Sequence, residues 1–167
     1  MNMKRILLIA LIAAAAVASA SAVSAGWFDG LFTQETPDNM VEIDTITFNT
    51  TNTTQFKLNG QTEDEDGNYR WYVDENQTGY NVHIYNYSYA DDATWKSLID
   101  SYKNFQIANS SSNTINGIAV YPTVAKNNVG EAKYVAFAEN NDTHILVDFV
   151  SPDPAETATM ASTLSFK

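Results

Sequence analysis

The most sustained apolar patterning in the chain lies at 134–150, YVAFAENNDTHILVDFV. Two β-rich runs flank a polar tip of Glu139, Asn140, Asn141 and Asp142, which predicts a hairpin with a four- or five-residue loop. Both arms are apolar on both faces: Val135 and Phe137 against Tyr134 and Ala136, then Ile145, Val147 and Phe149 against Leu146 and Val150. Strands of this kind belong at the centre of a sheet, with a layer over each face. The segment 154–164 reads as a helix that supplies one such cover.

Upstream, alternation predicts a strand over 44–49 with Ile46 and Phe48 inward, and another over 55–61 with Phe56 and Leu58 inward. Asp66-Gly67 then signals a tight type I′ turn into a strand over 69–73, where Tyr69, Trp71 and Val73 share a face. A long strand is expected over 80–89. Its even positions Tyr80, Val82 and Ile84 form the core face; Asn81, His83, Tyr85, Tyr87 and Tyr89 form the outer one. Trp95, Leu98, Ile99, Tyr102 and Phe105 then recur as a single helical stripe, capped by Asp91 or Asp92 and with Lys103 near its negative end. A strand over 115–121 is interrupted at Asn116-Gly117 by a bulge or tight turn, and 122–130 loops back to the hairpin. Asp153-Pro154-Ala155-Glu156 opens the last helix with a cap, a proline at the first helical position and a glutamate three after the cap. Met160, Ala161 and Leu164 supply its buried side. Four strands, helix, three strands, helix predicts an α+β domain: a mainly antiparallel sheet of six or seven strands with both helices packed on one face.

The first residues change the picture from fold to location. Lys4 and Arg5 precede a continuous apolar run at 6–18, and small residues lead to Val23-Ser24-Ala25 before Gly26. This fits a signal peptide over 1–25; the other reading of the same stretch is an uncleaved anchor, the one way this chain would touch a membrane. Residues 26–40, GWFDGLFTQETPDNM, read as a flexible linker with an apolar knob, since Gly30 and Pro37 leave room for a turn or two of helix. The remainder, 41–167, is one domain.

Removal of the leader leaves 7 basic residues against 20 acidic ones, a net charge near −13. That charge repels nucleic acid and anionic lipid. The chain has no cysteine, which excludes disulfides, thiolate metal sites, a cysteine nucleophile and a lipidated cysteine anchor. Six N-x-[ST] sequons start at Asn49, Asn52, Asn76, Asn86, Asn109 and Asn141. An Asn- and Thr-rich composition generates sequons by itself; in an exported chain they are also candidate glycosylation sites.

Together with this plan, the cysteine-free leader followed by Gly26-Trp27-Phe28-Asp29 and the ending Ser151-Pro152-Asp153-Pro154 with Met160-Ala161-Ser162-Thr163-Leu164 resemble small exported proteins of uncharacterised function from methanogenic archaea. The order of elements is also similar to the PsbP/Mog1-like fold. Neither likeness implies an activity, so no residue role is carried over.

Three constellations carry candidate chemistry. His83 and His144 are the two histidines, and Asp148 follows His144 by four residues on a shared strand face. A His–Asp pair can act as general base and orienter, although no serine stands in a G-x-S-x-G context. Asp64, Asp66 and Asn68 alternate around Gly67 like part of a calcium loop, but the EF-hand register fails: the first ligand would be Thr62 and the twelfth Val73. Tyr85, Tyr87 and Tyr89 beside His83 form an aromatic ladder. Left open, it suits a sugar or a protein; covered by the helix bearing Trp95, it is core. These features point to an exported, N-glycosylated, non-catalytic domain of the cell envelope or exterior that binds an envelope protein or surface glycan, with no cofactor. The alternative class is a small hydrolase or metal-dependent enzyme using His83 or His144 with Asp148.

Overall fold

The structure, a computed structural model, describes residues 39–63, 65, 67–76, 79–106, 113–126 and 130–167, with backbone alone described at 103–106 and 125–126. The leader, nearly all of the linker, the candidate ligands Asp64 and Asp66, and the sequon at Asn109 lie outside these residues. Five strands come first: β1 (Asn39–Ile43), β2 (Ile46–Thr50), β3 (Phe56–Glu63), β4 (Asn68–Asp74) and β5 (Asn81–Asn86). Helix α1 (Asp92–Gln106) follows, then β6 (Asn113–Ile115), β7 (Ile118–Lys126), β8 (Ala132–Asn140) and β9 (Ile145–Ser151). Helix α2 (Pro154–Ser162) and β10 (Ser165–Phe166) end the chain. The α+β class and the antiparallel pairing agree with the sequence reading.

Seven strands form the main sheet in the order β3-β4-β5-β9-β8-β7-β6, which puts β9 at its middle. Every residue of β9 is buried, as its two-sided apolar pattern requires. Its hairpin with β8 closes at the Asn140–Ile145 pair, so the loop is 141–144 and Glu139 lies inside the strand rather than at the tip. A second sheet, β1-β2-β10, was not expected. Asn39 and Met40, assigned to the linker, begin β1. Its hairpin with β2 turns through Asp44 and Thr45, with Asp44 at φ 49.

The two helices do not share a face. On one side of the main sheet, Val82, Ile84, Val147 and Phe149 meet Ala158, Met160 and Ala161 of α2, with Leu164 just beyond it and Ile46 and Phe48 from the small sheet. On the other side, Tyr69, Tyr85, Phe137 and Leu146 meet Trp95, Leu98, Ile99 and Tyr102 of α1. The result is three layers. A single-sided arrangement would leave the Tyr85 and Leu146 face in water, at a cost of about 25 cal/mol for each Å² of apolar surface.

Local signals were kept in part: Leu58, expected inward on β3, is 49% exposed, whereas both helix caps form. Asp91 caps α1, its Oδ1 accepting from the Thr94 amide at 2.7 Å, and Asp153 caps α2, accepting from Ala155 at 2.9 Å. Glu156 does not close a capping box: its Oε2 accepts instead from the Thr51 amide at 2.8 Å and from the Thr51 hydroxyl. Asn116-Gly117 is a full hairpin turn between β6 and β7, both residues with positive φ. Pro122 sits in β7, paired with Ala136, because β6 covers β7 only from Ile118 to Val120. Gly67 is needed for approach rather than for a positive φ, since a Cβ there would fall 2.2 Å from the Asn86 carbonyl oxygen. Among the described residues, no helix is long and apolar enough to cross a membrane.

Candidate functional site

Of the polar groups singled out in the sequence, His83, Asp148 and Tyr85 come together beneath α1. Antiparallel pairing sets Trp71, His83, Asp148, Phe137 and Tyr121 side by side across β4, β5, β9, β8 and β7. His83 Nδ1 stands 2.9 Å from Asp148 Oδ1, the two side chains only 5% and 4% exposed. The contact is a close approach rather than an aligned hydrogen bond, because Oδ1 receives no well-directed N–H. The other oxygen is better served: the Tyr102 hydroxyl donates to Asp148 Oδ2 at 3.0 Å. Tyr102 and Tyr85 share a hydrogen bond at 2.8 Å. A phenol has one O–H, and that of Tyr102 is committed to Asp148, so Tyr85 donates to Tyr102. Tyr69 and Trp71 close the cluster edge-on to the His83 ring, both with centroids at 5.9 Å.

Burial dominates the electrostatics. The Tyr85, Tyr102 and Tyr69 hydroxyls are all pushed above the ordinary phenol range, first by desolvation and then by neighbouring charge that includes Asp148. These phenols are therefore neutral donors, which is what the carboxylate requires. The cluster is a chain of hydrogen-bonding groups with a His–Asp contact at one end and a sheet-and-helix wall around it. It can fix β5 against β9, since a slip of one residue would send Asp148 into the apolar layer on the other face.

His144 is elsewhere. It ends the β8–β9 turn at φ 54 rather than lying on the strand, so it does not share a face with Asp148. Its ring stacks on Trp95 with centroids 5.3 Å apart and an interplanar angle of 16°. Its Nδ1 lies 3.1 Å from the Ala90 carbonyl oxygen and its Nε2 3.3 Å from Asp92 Oδ1. Trp95 Nε1 in turn donates to Asn141 Oδ1 at 2.8 Å. His144 is thus a clamp between the turn and the start of α1, and the two histidines with Asp148 do not form one cleft.

The tyrosine ladder is not a surface. Tyr85 and Tyr87 are 2% and 1% exposed under α1, and β5 ends at Asn86, so Tyr87 and Tyr89 follow in a turn. Tyr89 alone of the three faces solvent, at 85%. Asn68, the described member of the candidate calcium triplet, is a half-buried strand residue. Among the described residues, no three His, Asp or Glu side chains are grouped to hold a metal ion.

An open cleft of about 400 Å³ was not foreseen. It lies between the 116–119 turn and residues 139–142, with Asn116, Asn140, Asn141, Asp142 and Glu139 on its walls. Glu139 is buried and accepts from the Tyr121 hydroxyl at 3.1 Å. The one advance sign was an acid in an otherwise apolar run, which the sequence reading placed on the loop. Comparison with protein-family models, curated proteins and solved structures returns no match for this chain.

Proposed function

We propose that the chain is an exported, N-glycosylated, non-catalytic domain of the cell envelope or exterior that acts by binding, its element order kin to PsbP/Mog1-like domains. The observation that carries this reading is a division between surface and interior. Asn52, Asn76 and Asn141 stand exposed, whereas the His83–Asp148 pair is closed off by α1 and its aromatic neighbours. With Tyr85 and Tyr87 buried, the contact surface moves to the cleft beside Asn116 and Asp142. Its amides and carboxylates suit a hydroxyl-rich partner, a surface glycan or a polar protein face. The acidic charge of the chain keeps nucleic acid away.

Intact mass spectrometry of the native protein tests this directly. The expected chain begins at Gly26 and carries mass increments of whole sugars. A cytoplasmic chain that retains 1–25 and carries no addition sinks the proposal. The 2.9 Å His83–Asp148 contact favours the second reading, a small hydrolase. Turnover of ester or amide substrates that disappears in His83→Gln, with the fold intact, would put that reading first.

A further inference from the structure

Resting on the glycoprotein reading, we propose that the fold selects among the sequons and that Asn52 is a glycan acceptor of the folded domain, while Asn49, three residues upstream, is closed. The two sites are the same triplet, Asn-Thr-Thr, repeated in tandem at 49–51 and 52–54. Any difference between them is therefore imposed by structure.

Transfer forms a bond between the asparagine Nδ2 and the anomeric carbon of a lipid-phosphate-linked sugar. The anomeric C–O bond breaks, the phosphate leaves with its electron pair, and the amide proton passes to a base on the transferase. The transferase must also read the hydroxyl at the third position, so three consecutive residues have to be presented together. At 49–51 each is engaged. Asn49 sits half-buried in β2, between β1 and the end of α2, and its backbone N–H donates to Thr163 Oγ1 at 2.8 Å, which fixes the backbone of the triplet. Thr50 is fully buried, with its hydroxyl donating to the Asn52 carbonyl at 2.7 Å. Thr51 gives both its amide and its hydroxyl to Glu156.

At 52–54 the chain has left β2 and has not entered β3. Asn52 and Thr53 are exposed and Thr54 is half-exposed, in irregular backbone, the Thr54 hydroxyl making only a long 3.5 Å contact with Thr50 Oγ1. The Asn52 amide makes a surface contact at 3.1 Å with Thr51 Oγ1, which uses one of its two N–H groups. Two other fully described triplets are only partly open. Asn86 ends β5 with its Oδ1 bound by the Ser88 amide and Tyr87 buried between them. Asn141 has its Oδ1 held by Trp95, and the Thr143 hydroxyl beyond it is buried.

The test offers the folded full-length chain to a purified oligosaccharyltransferase with a lipid-linked sugar donor, and assigns occupancy by peptide fragmentation. A synthetic peptide of residues 46–57 is the unfolded reference. The expected ratio of Asn52 to Asn49 occupancy is about tenfold or more in the folded chain, because strand β2 must open locally before Asn49 can react, and near one in the peptide. Thr54→Val, at a half-exposed position, should abolish modification of 49–54 without moving it to Asn49. Equal occupancy in the folded chain, or modification of Asn49 with Asn52 untouched, overturns the inference. Site mapping of the native protein separates the two levels: a native chain bare at every sequon ends the glycoprotein reading, while the folded-chain ratio still decides accessibility.

Discussion

On the α2 side the main sheet offers Val82, Ile84, Val147 and Phe149 and receives Ile46, Phe48, Met160 and Leu164. On the α1 side it offers Tyr69, His83, Tyr85 and Asp148 and receives Trp95 and Tyr102. The same strands thus carry two different kinds of interior. The first is held by volume and apolar area, which are tolerant of detail. The second is held by a hydrogen-bonded chain in low dielectric, which tolerates very little once a member is missing. The contrast explains how a domain without cysteine can define a single register: one face supplies stability, and the other penalises wrong pairings.

The sharpest way to strain the comparison is to remove one large side chain from the apolar layer. Phe149 is fully buried and meets Phe48 edge-on with centroids 5.0 Å apart. Phe149→Ala is expected to cost about 3–5 kcal/mol in urea unfolding, as transfer and cavity terms add. A loss under ~1 kcal/mol would mean that this layer is loosely packed and that the contrast with the polar face is misplaced.

Next comes the polar face. Asp148→Ala strips the Tyr102 hydroxyl of its acceptor and leaves His83 buried without its polar neighbour, for an expected loss of about 3 kcal/mol. The double variant His83→Leu with Asp148→Leu should recover most of that loss, since Tyr85 and Tyr102 keep their mutual bond and no orphaned charge remains. If the double variant is as unstable as Asp148→Ala, the pair is a net source of stability and the division of labour between the two faces fails.

That polar face is also where sequence reading stopped short. Alternation along 80–86 sorted Val82 and Ile84 from His83 and Tyr85 onto opposite faces, but the face expected outward is buried under α1; the α1 stripe of Trp95, Leu98, Ile99 and Tyr102 is buried as expected. What periodicity does not encode is which face a helix takes: the same stripe would complement either. The choice rests on long-range matches such as Tyr102 to Asp148, 46 residues apart in sequence. The small sheet escaped for a local reason. Its hairpin turns at Asp44-Thr45 without glycine, and Arg70 from β4 reaches Asp44 Oδ2 at 3.0 Å. Of the candidate site, the partnership of His83 with Asp148 was half legible. The acid was noticed, but its position relative to His144 assumed a strand that begins one residue later.

A smaller effect probes an acid buried inside the apolar layer. Glu156 is fully buried; burial raises its carboxyl above the ordinary 4.5 and the charges of Asp153 and Asp74 add to this, against the two Thr51 hydrogen bonds. The folded state therefore holds this proton more tightly than the unfolded chain does. The associated stability is complete below 4.5 and is lost as pH rises through the folded value. Glu156→Gln removes that loss and keeps an oxygen for Thr51. The variant should match the wild type in mild acid and exceed it near neutrality by about 1 kcal/mol, read from urea midpoints across the pH range. Parallel pH profiles would show that Glu156 is ionised in both states at no cost, and the α2 layer would be less apolar than its neighbours imply.

The least expected effect lies at Tyr89, which belongs to neither layer. The ladder reading grouped it with Tyr85 and Tyr87, yet the strand ends at Asn86 and the chain turns, with Ala90 donating its amide to the Tyr87 carbonyl at 2.9 Å. Tyr87 is carried inward by that turn and Tyr89 outward. Tyr89→Ser should therefore leave stability within about 0.5 kcal/mol of the wild type, because an exposed ring gives up little buried area. A matched Tyr87→Ser should behave like a core truncation, losing about 3 kcal/mol or more. Equal losses at the two positions would place Tyr89 against α1 after all and extend the polar layer past the end of β5. The expected inequality instead makes the turn at 87–90 the boundary where the aromatic interior stops.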